Sequence, residues 1–229
     1  MDRRAAWVIG TVFGGLFLCL FGFLFLLFIA VRSGGSGETE DSGGGDRVGV
    51  IEVIGQIGDA KKFLKELKQF SDDDHIKAVV VRIDSPGGAV GPSQEMYQAV
   101  KKLRAKKKVV ASMGSIAASG GFYLAAAAEK VYANPGTLTG SIGVIFQLPN
   151  VSGVMKWAGV QMNVITAGKM KDAGSPFREM TDDERAYFQG VLKDVHEQFI
   201  GDVADGRGMK ADDLRPLADG RVFSGRQAK

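Results

Sequence analysis

The segment Ile76-Lys77-Ala78-Val79-Val80-Val81-Arg82-Ile83-Asp84 is apolar with almost no alternation and stops at Ser85-Pro86-Gly87-Gly88. A strand with one wet face alternates polar and apolar side chains. A run without alternation belongs to a sheet covered on both faces, built from parallel strands joined by helices. The neighbouring segments conform. Val48–Ile57 reads as a strand, and Asp59 then caps a helix with Phe63, Leu64, Leu67 and Phe70 on one face. A helix follows Gly88 to about Leu103, then a buried strand over Lys108–Met113, a tightly packed helix over Tyr123–Ala128 and a short strand over Lys130–Ala133. Strands alternating with helices at this spacing predict an α/β fold with a mainly parallel sheet. Thr181-Asp182-Asp183-Glu184 has the capping-box pattern and opens a late helix with Tyr187, Phe188, Val191, Leu192, Val195 and Phe199 facing inward. The ending from Gly220 to Lys229 reads as the start of another helix, so a C-terminally truncated chain is expected. No internal repeat is visible.

From Trp7 to Val31 the chain carries no charge, long enough to span a bilayer, which takes about 20 residues. Arg3 and Arg4 precede this run and Glu38, Glu40 and Asp41 follow it, which predicts a cytoplasmic N-terminus and an external remainder. A cleaved signal peptide would have a shorter apolar region ending in small residues, and Cys19 lacks the surroundings of a lipoprotein site. Ser33–Asp46 contains only glycine, serine, threonine and acidic residues and reads as a flexible tether. The expected organisation is therefore a transmembrane anchor over 1–32, a linker over 33–46 and one folded domain over 47–229. The net charge of +3 does not call for nucleic acid, and the basic cluster Lys101–Lys108 reads as a solvated helix end. Cys19 is the single cysteine, so intramolecular disulfides, zinc fingers and thiol catalysis in the soluble part are excluded.

Candidate chemistry gathers where strands of such a sheet end, the usual place for ligands. Ser119 stands between a strand and a helix and is followed by Gly120-Gly121, a geometry suited to a nucleophile. The simpler alternative is that Ser119 caps the helix. The N–H groups of Gly88 and Gly120 would form a two-donor oxyanion hole. A serine nucleophile needs a base. His75 begins a strand and should lie at the far edge of the sheet, while His196 falls on the late helix as a surface residue. Lys169 and Lys171 remain; spaced by two on an extended segment, they would share a face, and periodicity does not choose between them.

The combination of Asp84-Ser85-Pro86-Gly87-Gly88, Ser115-x-Ala117-Ala118-Ser119-Gly120-Gly121-x-Tyr123, Thr139-Gly140-Ser141-Ile142-Gly143-Val144 and Gly168-x-x-Lys171-x-Ala173 resembles the signal peptide peptidase A family. These are membrane-anchored bacterial serine proteases, and the resemblance runs from about Val48 to the end. It implies a crotonase-like (ClpP-like) α/β fold of repeated β-β-α units, with Ser119 as nucleophile and Lys171 as general base. Ser141 would orient the lysine, and Gly88 would supply an oxyanion N–H. It further implies a homo-oligomeric ring in the cytoplasmic membrane with external peptidase domains, an active site shared between subunits, and remnant signal peptides or other short hydrophobic peptides as substrates. No cofactor or metal is expected. The competing functions are acyl-CoA chemistry on the same fold, for which the expected external location is wrong, and an inert membrane scaffold, for which the intact Ser119, Ser141 and Lys171 set would have no use.

Overall fold

Three parallel strands carry the architecture: β1 (Arg47–Ile54), β2 (Ile76–Ser85) and β3 (Lys108–Ala118). They pair in the register Val50↔Val80↔Val110. These elements belong to a computed structural model that describes residues 45–229. The expected anchor over 1–32 and most of the linker over 33–46 lie outside the described residues. Among those described, no helix is long and apolar enough to cross a membrane.

Ile51, Val53, Val79, Val81, Ile83, Val109, Ala111 and Met113 point to one face and form the core. That face is covered by α1 (Lys61–Asp72), α2 (Val90–Arg104) and α3 (Gly120–Ala126). On the other face Val48 and Val50 are exposed and Val80 and Val110 half-buried. The expectation of a sheet covered on both faces is therefore corrected for the described residues. The order β1-β2-β3 advances in one direction. Right-handed crossovers then place α1 and α2 on the same side, with no reversal of strand order between them.

β3 is longer than the predicted Lys108–Met113 strand and changes partner along its length. Its first half pairs with β4 (Lys130–Tyr132) and its last residues, Ile116–Ala118, with β5 (Leu138–Gly140). β6 (Val222–Ser224) adds antiparallel to β5. The buried Thr137 and Thr139 hydroxyls donate to Gly114 O and Ala117 O, both at 2.8 Å, fixing β5 along the top of β3. The expected C-terminal helix start is thus a strand, followed by a turn in which Gln227 N–H donates to Ser224 Oγ and Ser224 N–H to Gln227 Oε1.

The helix ends follow their sequence signals with two adjustments. Asp59 accepts from Lys61 N–H at 2.9 Å, but Ala60 is the residue at the cap of α1. The basic end of α2 is not simply solvated. Lys107 Nζ donates to the carbonyls of Phe70 and Asp73 at the end of α1, at 2.6 and 2.7 Å, the second of which also accepts from Ile76 N–H. Lys101 pairs with Asp205, and Arg104 reaches Gly206 O.

Between β5 and the late helix lie a short α4 (Ser152–Trp157) and a series of turns; α5 (Asp182–Arg207) and α6 (Ala211–Leu214) follow. The capping box at Thr181 and Glu184 forms as predicted. The inward face of α5 is only half realised, because Phe199, Ile200, Val203 and Ala204 are buried whereas Tyr187 and Val191 stay exposed. At 26 residues α5 is about 39 Å long and outruns the core beneath it.

Candidate active site

The end of β3 meets α3 at Ser119, whose φ of 51° and ψ of −120° lie where side chains seldom go. Strain of this kind costs about 1–3 kcal/mol and persists only when neighbouring bonds enforce it. Here Ser119 N–H donates to Gly140 O at 2.9 Å and Ser119 O accepts from Tyr123 N–H at 2.8 Å. The backbone is clamped, while the side chain makes no capping hydrogen bond. Ser119 is therefore not serving as a side-chain helix cap, and its half-buried hydroxyl faces a cleft.

The end of β2 supplies the opposite wall. Ser85 Oγ accepts from Gly87 N–H at 3.1 Å, and Gly87 takes φ 96°. A Cβ at Gly87 would stand 2.6 Å from Gly120 N and 2.8 Å from Ser119 Cβ, so only glycine permits this approach. Gly88 bridges to Ile57 through Ile57 N–H to Gly87 O and Ala89 N–H to Ile57 O, at 2.9 and 2.8 Å. That bridge does not use Gly88 N–H. A Cβ on Gly120 would lie 3.3 Å from Gly88 N, so the two candidate oxyanion glycines are neighbours. With them, Val90, Ser93, Gln94, Tyr123, Val144, Val195 and Phe199 line a cleft with about 20 Å³ of internal space, enough for roughly one water.

The floor is rigid. The Tyr97 and Tyr123 rings stack at 5.1 Å, and Phe199 meets Tyr123 edge-on at 4.5 Å. Tyr123 OH bonds the Asp202 carboxylate, and Tyr97 OH donates to Asp202 O at 2.6 Å. Burial, reinforced by the Asp202 charge, pushes both phenols well above their usual range, so both remain neutral donors.

Ser141 reaches the same corner through the backbone. It follows Gly140, takes φ 53°, and donates its N–H to Arg221 O at 2.8 Å. Lys171 is exposed, and no hydrogen bond joins it to Ser119 or Ser141 among the described residues. The extended segment expected around it is instead a succession of turns, closed by Lys171 N–H to Gly168 O, Ala173 N–H to Met170 O and Ser175 N–H to Asp172 O. Lys169 and Lys171 are therefore not the expected alternate residues on one face of an extended segment. Lys169 pairs with Asp183 at 2.8 Å, and that hydrogen bond raises its pKa, the wrong direction for a base. His75 lies exposed at the start of β2, far along that strand from the Gly87 turn, as expected. His196 is not free at the surface. It is half-buried with Nε2 3.3 Å from Ile142 O.

Arg178, to which no motif pointed, fastens the Lys171 turns to α5. Its guanidinium bonds the Asp172 carboxylate and carbonyl, both at 2.8 Å, and forks onto Glu184. Arg178, with the Thr181 cap behind it, lowers the Glu184 pKa to about 2. A carboxylate with a depressed folded pKa stabilises fully above its unfolded value and loses that contribution as pH falls through the folded one. Wild type should therefore melt higher than Glu184→Gln at pH 7, with the gap closing between about pH 4.5 and 2. Paired melting curves across that range check it; a gap independent of pH would remove the ion pair as its cause.

A strained serine at a strand-to-helix corner, on a one-sided parallel sheet, is the architecture of the ClpP/crotonase-like α/β class. A ClpP1 point mutant from Listeria monocytogenes superimposes with a TM-score of 0.51 at 17% identity, covering 79% of this chain and 85% of that one. Residues 47–139 also match the Clp protease family model. Residues 101–229 match the model of peptidase family S49, and the chain belongs to that family. The candidate protease slr0021 of Synechocystis sp. is 44% identical over 184 residues, 80% of this chain and 66% of the relative. The candidate signal peptide peptidase SppA of Enterococcus faecium is 34% identical over 169 residues, 73% of this chain and 49% of the relative. The chain thus spans from about half to about two thirds of the length of these relatives.

Proposed function

We propose that this protein is a membrane-anchored serine endopeptidase that hydrolyses remnant signal peptides and other short hydrophobic peptides. The observation that carries the reading is the Ser119 corner, where a clamped, strained backbone presents an uncommitted hydroxyl beside the Gly88 and Gly120 N–H groups. Ser119 Oγ attacks the scissile carbonyl while the Lys171 amine takes its proton. The oxyanion settles between the two glycine N–H groups. Lys171 returns the proton to the leaving amine, and a water activated by the same lysine releases the acyl group from Ser119. Ser141 orients the lysine.

The exposure of Lys171 bears directly on this scheme, because a lysine base must lose charge, and desolvation is what lowers its pKa. A neighbouring subunit in a homo-oligomeric ring would bury it. In this reading residues 1–32 anchor the chain in the bacterial cytoplasmic membrane, 33–46 tether it, and 47–229 form the external peptidase domain. The likeness to the Enterococcus faecium relative supports the substrate class.

The test is reaction of the full-length protein with a fluorophosphonate serine probe, with the labelled peptide located by mass spectrometry, beside hydrolysis of a fluorogenic hydrophobic peptide. Labelling at Ser119 with turnover is expected. A protein that neither labels nor turns over would point to the inert scaffold.

A further inference from the structure

Ser93 lies in the first turn of α2, is 1% exposed, and faces the cleft. Its hydroxyl donates to Ala89 O at 2.8 Å, the same carbonyl that accepts Ser93 N–H at 3.2 Å. Helical serines often bond back to the preceding turn, and alone that would mean little. The position of the acceptor changes its meaning. Ala89 adjoins Gly88, and its N–H is held by Ile57 O at 2.8 Å. The peptide groups on either side of Ala89 are therefore both fixed, one by the Ile57 bridge and the other by Ser93. Across the cleft, a Cβ on Gly120 would come within 2.4 Å of Ser93 Oγ and 3.3 Å of Gly88 N. Ser93 Oγ is wedged between the Gly88 turn and the residue that follows Ser119.

Resting on the serine-peptidase reading, we infer that Ser93 is a positioning residue for the oxyanion hole. Its hydroxyl locks Ala89 O and props Gly120, setting the separation of the two N–H donors. It does not touch the scissile bond. Loss of the hydroxyl leaves Ala89 O still bonded to the N–H of residue 93, so the fold survives while the donor pair loosens. Removal of a whole oxyanion donor costs about 10²–10³ in kcat. A donor that is present but misplaced should cost about ten- to a hundredfold.

The experiment compares wild type, Ser93→Ala and Ser93→Cys in the full-length protein. A peptide boronate places an oxygen of its tetrahedral Ser119 adduct where the oxyanion would sit, whereas the matching peptide amide binds without forming that oxygen. Boronate affinity should fall about ten- to a hundredfold in Ser93→Ala, with amide affinity and melting temperature near wild type. kcat should fall with KM unchanged, and Ser93→Cys, a weaker donor of similar shape, should lie between. Equal loss of boronate and amide affinity would make Ser93 structural and overturn the inference, as would an unchanged boronate affinity. Should Ser93→Ala fail to fold, Ser93→Cys carries the same comparison. A wild type that binds the amide but gains nothing from the boronate overturns the Ser119 reading itself, and this inference with it.

Discussion

Ser119→Ala is expected to reduce peptide hydrolysis by roughly four to six orders of magnitude without unfolding the protein. The hydroxyl has no structural hydrogen bond to lose, since the capping geometry leaves it unused and the clamps at Gly140 O and Tyr123 N–H are backbone groups that alanine retains. Ser119→Gly should be equally inactive yet behave differently when heated. At φ 51° and ψ −120° any side chain is strained by about 1–3 kcal/mol, and glycine is relieved of it. Against this stands glycine's extra unfolded-state entropy, about 0.5–1 kcal/mol. Relief wins, so Ser119→Gly should melt higher than wild type, by about 2–4 °C per kcal/mol gained in a domain of this size. A residue that costs stability and whose loss costs all activity is retained for chemistry. Activity surviving in Ser119→Ala would end the nucleophile assignment, and a lower melting temperature in Ser119→Gly would remove the strain argument.

Lys171→Ala should lower kcat by about 10²–10⁴-fold, the usual contribution of a positioned general base, while Lys169→Ala should leave it near wild type. Lys169 is engaged with Asp183 on the surface, whereas Lys171 stands exposed on turns fastened by Arg178. If burial by a neighbouring subunit completes the site, two dead proteins can repair each other. Unfolded and reassembled together in equal amounts, Ser119→Ala and Lys171→Ala should regain about a quarter of wild-type activity. A given site then needs an intact serine from one subunit and an intact lysine from the next, each present with probability one half. No recovery from mixed, assembled protein would place both groups in one chain. Full activity in Lys171→Ala would remove the base assignment altogether.

Much of this arrangement was legible in local pattern. Largely apolar runs marked β2 and the first half of β3, the Pro86-Gly87-Gly88 turn marked the end of a strand, and Thr181 with Glu184 marked the start of α5. A turn at Ser119 could be read from a serine followed by two glycines between a buried strand and an alanine-rich helix, but that pattern alone fits a helix cap equally well, and only the strained backbone with no capping hydrogen bond separates the two. What escaped depends on contacts between distant segments. β5 and β6 are three residues each, too short for periodicity to register. The uncovered face of the sheet follows from strand order, which no single strand encodes. The role of Arg178 depends on Asp172 and Glu184 meeting around it, and Ser93 gains meaning only once Gly88 and Gly120 are side by side. The turns around Lys171 were mistaken for an extended segment because Gly168 and Gly174, both with positive φ, bend it without any apolar signature.

The pairing of β6 with β5 has a consequence in time. Gly140 O holds Ser119, and Ser141 N–H is in turn held by Arg221 O, beside the antiparallel pairs Gly140↔Val222 and Thr139↔Phe223. The serine is therefore clamped by the end of β5, which is itself paired by a strand synthesised about a hundred residues after Ser119. While the chain is still growing, Ser119 exists but its corner is unfinished. The corner around Ser119 is therefore among the last parts of the fold to close, since it waits on a contact between segments far apart in the sequence.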